Sequence, residues 1–220
     1  MSASVTQLVG QLADVKSRNA ARRELLKLGS EAVPAMLNAA AAPASPQHRR
    51  AILETLSALN DPRAESLFRQ SLTSDDPEAR AIGARGLFLL KAPDALNALQ
   101  LTINDAPDLL HFEQTLAVRS LVELGMPALP TVLKLMESAD GQTRQRAQYV
   151  LASIVLNDIT QRLQPRPLTS DALSAWEKLQ QQNGSYRWDA PESARAASID
   201  LWKRWLQDQP GQPGKEHGTA

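Results

Sequence analysis

Guanidinium groups are the chemistry this chain has to offer. It contains no cysteine, which removes thiolate nucleophiles, zinc thiolates and disulfides together. His48, His111 and His217 are scattered rather than set at ligand spacing, and they read as exposed or locally capping residues. Arginine is what recurs. Arg23, Arg50, Arg85 and Arg119 form one set, and Arg18, Arg49, Arg80 and Arg146 form a second. A planar guanidinium donates paired hydrogen bonds to carboxylate or phosphate, so regularly spaced arginines suit the recognition of an anionic chain rather than the making of bonds. Lys plus Arg equals Asp plus Glu at 24 each, and this balance disfavours nucleic acid as the partner.

The elements that must position these arginines announce themselves through leucine. Leu28, Leu59, Leu90, Leu124 and Leu156 each close an apolar helix-like segment, at intervals by subtraction of 31, 31, 34 and 32 residues. A period in this range means stacked supersecondary units that bury a continuous core. The apolar content is 43% but the aromatic content only 4%, which favours closely packed helices over strands.

Each unit reads as two helices. First helices are expected near 4–14, 31–41, 61–73, 93–104 and 127–138, and second helices near 17–28, 46–59, 76–90, 110–124 and 142–162. Asp61-Pro62 and Asp76-Pro77 supply helix openings, while Gly29 and Gly125 end the helices before them. With the closing leucine as a ruler, the positions three, four, seven and eight before it join it in the buried stripe. Ten before lies at the stripe's edge and holds Arg18, Arg49, Arg80 and Arg146. Five or nine before points away from the stripe and holds Arg23, Arg50, Arg85 and Arg119.

Two prolines between Leu163 and Pro167 break the pattern, and Thr169-Ser170 opens a further helix through Gln182. Asp189, three before Glu192, has the spacing of an N-cap ahead of a final helix bearing Trp202 and Trp205. Trp176, Tyr186, Trp188, Trp202 and Trp205 therefore gather beyond the repeats. They either close the exposed apolar end of the array or form a docking patch from Tyr186, Trp188 and Trp202. The expected division is a repeat solenoid over 1–162, a helical cap packed on it over 163–208, and a disordered Gly/Pro-rich tail over 209–220. The start has no leader pattern and no stretch approaches a bilayer span, so a cytoplasmic protein without a membrane partner is expected.

The run Asp76-Pro77-Glu78-Ala79-Arg80-Ala81-Ile82-Gly83-Ala84-Arg85-Gly86-Leu87, followed by Ala95 to Leu99, resembles the short HEAT-like repeat of phycobilisome lyases and many bacterial scaffold proteins. The likeness extends over about residues 4 to 160. It implies an all-α, right-handed α-solenoid of the HEAT/armadillo type, about five helix pairs with a two-helix C-terminal cap, in which second helices line the concave face. It also implies that Arg18, Arg49, Arg80 and Arg146 form a structural ladder paired with acids between the helices, such as Asp14, Asp75, Asp76 or Asp140.

Arg23, Arg50, Arg85 and Arg119 would then form a concave track for an acidic or extended segment of another protein. The function expected is a non-enzymatic scaffold or adaptor with no cofactor and no metal. A bilin lyase-type subunit or a chaperone-like accessory protein is the alternative that the resemblance leaves, although no residue constellation suits a tetrapyrrole. HEAT-like diiron hydroxylases carry recurrent His-Glu pairs, whereas here His48 precedes Arg49 and His111 precedes Phe112. HEAT-like DNA glycosylases need aromatic residues on a basic concave face, and the four tryptophans all follow the repeats.

Overall fold

The computed structural model describes residues 4–108, 110, 114–163 and 169–209. His111, His217, the proline break and the tail from 210 onward lie outside the described residues. Within them the chain is all-α, with twelve α-helices and no strand. Contacts group the chain into two units, the first ending at Ser120 and the second beginning at Leu121. No single described helix is long and apolar enough to cross a membrane.

The first unit contains α1 (Val5–Gln11), α2 (Arg18–Leu28), α3 (Val33–Ala41), α4 (Pro46–Leu59), α5 (Glu65–Ser71), α6 (Pro77–Leu89) and α7 (Ala95–Leu101), and the boundary falls within α8 (Leu116–Leu124). Helices pair in sequence, α1 with α2, α3 with α4 and α5 with α6. Second helices also pack on second helices, α2 on α4 and α4 on α6. These are helix pairs of the HEAT α-solenoid kind. The second unit holds α9 (Leu129–Met136), α10 (Gly141–Arg162), α11 (Thr169–Gln182) and α12 (Glu192–Gln207), with α9 against α10, α11 against α10 and α12 against α9.

Local chemistry sets the helix starts. Ser45, Asp61, Asp76 and Asp140 each accept a hydrogen bond from a backbone N–H two or three residues on, and Pro46, Pro62 and Pro77 occupy first positions where no N–H is needed. The α3, α5 and α9 helices start later than the sequence suggests because single 3-10 turns at Gly29–Glu31, Pro62–Ala64 and Met126–Ala128 precede them. Gly29 and Gly125 do end their helices, with φ of 61° and 72° and ψ of −133° and −145°, a region open essentially to glycine alone. Asp189 differs from expectation. It pairs with Arg187 at 3.0 Å, and α12 begins at Glu192 after Pro191 with no side-chain cap.

Burial corrects the leucine ruler. Leu28, Leu59, Leu90 and Leu124 are only partly buried, because each stands where its helix ends. Full burial falls three residues earlier, at Leu25, Leu56, Leu87 and Leu121, all at 0% exposure. In the fifth pair the matching buried leucine is Leu151, so the period is displaced there and Leu156 is not its marker. Close approach of α5 to α6 depends on glycine: a Cβ at Gly83 would stand 2.7 Å from the Phe68 carbonyl oxygen, and one at Gly86 would stand 2.6 Å from the Phe68 ring.

His48 departs furthest from its expected place. It is 5% exposed rather than on the surface, and Ser45 does the capping. Its Nδ1 accepts from the Ala44 N–H at 3.1 Å, which leaves the proton on Nε2 to be donated to the Val9 carbonyl at 2.9 Å. One imidazole thus ties the α3–α4 turn to α1. His48→Ala strands both main-chain groups and is expected to lower unfolding free energy by about 2 kcal/mol. Gly83→Ala, which meets backbone rather than a movable side chain, is expected to cost at least about 1 kcal/mol. Urea denaturation of each variant measures both effects.

Candidate functional site

Arginines of the second helices sort by what holds them. The first kind of contact is made within a helix pair. Arg18 donates from Nε to the Leu12 carbonyl at 2.9 Å, Arg49 from Nη1 to Ala40 at 3.2 Å, and Arg80 from Nη1 to Ser74 at 2.9 Å. Each carbonyl lies at or just beyond the C-terminal end of the first helix, where backbone acceptors lack helical partners and the helix dipole is negative. In the second unit Arg144 makes the same contact, to Ser138 at 2.8 Å and Ala139 at 2.7 Å. Arg146, the residue expected at that place, is instead drawn into the interior at 1% exposure. The two-residue difference follows from the displaced period noted above.

The second kind of contact joins one pair to the next. Arg50 of α4 grips Asp76 with one edge of its guanidinium, Nε to Oδ2 at 2.5 Å and Nη2 to Oδ1 at 2.9 Å, and meets Glu78 with Nη1. Arg80 of α6 grips Asp105 in the same way at 2.8 and 2.6 Å. Among first helices, Arg69 of α5 bonds Asp94, and Arg63 donates to the Ser30 carbonyl at 2.8 Å. Spacing puts Arg50 on an open track and Arg80 at a packed edge, yet the two do the same work. An acceptor about 25 residues onward, not the angle on the helix, decides that work.

Three arginines of the expected track remain near the surface of the first unit. Arg85 is half-buried, donates to the Ser120 hydroxyl at 2.9 Å and lies 5.1 Å from the Phe88 ring centroid. Arg23 and Arg119 are exposed, and neither has an ion-pair partner among the described residues. Arg22, beside Arg23, pairs across to Glu54 of α4 at 3.7 Å. The contacts Arg22–Glu54, Arg50–Glu78 and Arg85–Ser120 therefore run in order across α2, α4, α6 and α8.

The aromatic residues lie in the second unit. Trp202 is 1% exposed, with Trp176 stacked at 6.0 Å and Trp205 edge-on at 5.2 Å. Tyr186 is buried and donates from its hydroxyl to the Met136 carbonyl at 2.9 Å. Burial pushes its phenol above the usual tyrosine range, against the opposing pull of Arg195 and Arg144. A docking patch made of Tyr186, Trp188 and Trp202 is thus not on the surface. Only Trp188 reaches solvent, held by its N–H to Gln148 and its carbonyl to Arg144, both at 2.9 Å. No group of three or more histidines and carboxylates is placed to hold a metal among the described residues.

Asp76 serves two roles, capping α6 and receiving Arg50. Burial acts to raise its carboxyl pKa, but hydrogen bonds from Arg50 and from the Glu78 and Ala79 N–H groups outweigh it and hold the group below its ordinary 3.8. A depressed folded-state value gives stability that is present above 3.8 and lost as pH falls through the folded value. Asp76→Asn keeps a capping acceptor and removes the charge. It is expected to lower stability by about 1 kcal/mol at neutral pH, and the gap to wild type should close as pH falls below 3.8 and through the folded-state value, as read by urea denaturation at several pH values.

No curated protein sequence matches the chain. The family model for HEAT repeats does match it, over residues 33–111. This span takes in α3 to α7 with the Arg50–Asp76, Arg69–Asp94 and Arg80–Asp105 pairs. Residues 33–111 belong to the HEAT repeat family.

Proposed function

We propose that the protein is a non-enzymatic scaffold whose first unit receives an acidic, extended segment of another protein across the second helices α2, α4, α6 and α8. HEAT repeats serve generally as protein-interaction scaffolds, and the finer reading rests on how charge is left over here. The observation that carries it is the contrast between committed and uncommitted guanidinium groups. Arg50 and Arg80 are neutralised by aspartates of the next turn, whereas Arg23 and Arg119 stand exposed on α2 and α8 without an ion pair among the described residues. Arg85, between them on α6, is bonded to the Ser120 hydroxyl and lies against the Phe88 ring, and the reading rests on Arg23 and Arg119.

The spacing specifies the partner segment. Neighbouring helices pack about 8–10 Å apart, so three steps from α2 to α8 cover roughly 25–30 Å. An extended chain advances about 3.3 Å per residue, and a segment of about eight or nine residues with acids at both ends spans the row. Such contacts are exposed and hence salt-sensitive.

The test uses a fluorescent nine-residue peptide with paired glutamates at each end and its glutamine counterpart. The acidic peptide is expected to bind, and the glutamine peptide to bind at least about tenfold more weakly. Arg23→Glu combined with Arg119→Glu should weaken the acidic peptide by a similar factor with an unchanged melting temperature. Equal binding of both peptides, or binding indifferent to the double reversal, would overturn the reading.

A further inference from the structure

The second unit contains a cavity of about 540 Å³ between the C-terminal end of α9, the first turn of α10 and one face of α12. Its volume lies in the range of about 300–1,000 Å³ typical of small-molecule sites. The exposed Ala139 and Ala196 give it an apolar floor, while Met136 and Ile199, also in its lining, are buried. Arg144 and Arg195 line it, and these two differ from the arginines that join the repeats. Arg50 and Arg80 face carboxylates, whereas Arg144 is fastened by the Ser138, Ala139 and Trp188 carbonyls, and Arg195 donates from Nη1 to the Ala190 carbonyl at 2.5 Å.

A carbonyl orients a guanidinium without cancelling its charge. Neither group has a carboxylate partner among the described residues, so two fixed cations border the cavity at full formal charge. Glu192 and Asp200 line it too, about two turns apart on α12; neither forms an ion pair among the described residues, although Asp200 lies close enough to Lys203 to raise its pKa. Glu137, the remaining acid of the lining, is taken by Lys203 at 2.6 Å. A polyanion meets repulsion from these two carboxylates, and a simple cation meets it from the two guanidinium groups. A ligand carrying one charge of each sign suits both kinds of group, and the apolar floor leaves room for a hydrocarbon side chain.

We propose that this cavity binds a zwitterion of amino-acid or dipeptide size, its carboxylate toward Arg144 and Arg195, its ammonium toward one of the acids of α12, Glu192 or Asp200, and its side chain over Ala139 and Ala196. The site lies wholly in the second unit and does not depend on the acidic-segment reading of the first.

Isothermal titration of the full chain with glycyl-leucine, leucinamide and N-acetylleucine tests it. The dipeptide should bind with a dissociation constant of about 1 mM or tighter and raise the melting temperature, while each singly blocked compound binds at least about tenfold more weakly. Arg195→Gln is expected to weaken the dipeptide about tenfold. Glu192→Gln combined with Asp200→Asn, exposed changes that spare the fold, should do the same. Arg23→Glu with Arg119→Glu should leave dipeptide binding unchanged, which separates this site from the first-unit surface. No heat of binding from the dipeptide overturns the proposal. So does equal binding of all three compounds, or dipeptide binding that survives the α12 double variant.

Discussion

A helix of two or three turns ends in carbonyls that its own backbone cannot satisfy, and in this protein an arginine from the following helix takes one of them. Arg18, Arg49, Arg80 and Arg144 all reach back in this way. First helices here are short, seven residues in α1, α5 and α7, so a large share of their backbone acceptors is terminal. Answering those acceptors from the partner helix ties the two helices of each pair together at that end. The buried line of Leu25, Leu56 and Leu87 then has a constant place to occupy, seven residues after the arginine in each case.

Contacts between pairs use the same side chain in a second capacity. Arg80 meets the Ser74 carbonyl with Nη1 and Asp105 with Nε and Nη2, so a single guanidinium closes its own pair and joins the next. One pair earlier the two tasks are divided between adjacent residues, Arg49 for the carbonyl and Arg50 for Asp76. Five donors in a rigid fork make both arrangements available, which a lysine could not reproduce. Arg23 and Arg119 at the surface of the first unit stand outside both arrangements, while Arg144 and Arg195, beside the cavity of the second, are held by carbonyls and have no carboxylate partner among the described residues.

Much of the fold was readable because its signals are local. Aspartate and proline at helix openings and glycine at Gly29 and Gly125 depend on only a few neighbouring residues. The helical register failed where it had to be carried over distance. Counting back from Leu156 selected Arg146, whereas the turn before α10 sets Arg144 against Ser138. Spacing alone leaves Tyr186 and Trp202 open to a surface role that their burial removes. His48 offered no sequence signal at all, because its meaning lies in a carbonyl 39 residues away.

The sequence by itself determined an all-α array of helix pairs, their approximate limits, and an excess of arginine on the second helices. These follow from periodicity and capping, which act within one or two turns. Only the tertiary structure decided which arginines are spent on carbonyls, which on aspartates, and which meet no carboxylate among the described residues. Helical angle places a guanidinium on a face, but its long side chain goes to the best acceptor within reach. In a repeat array that acceptor belongs to the neighbouring helix or the next pair, about 25 residues along the chain.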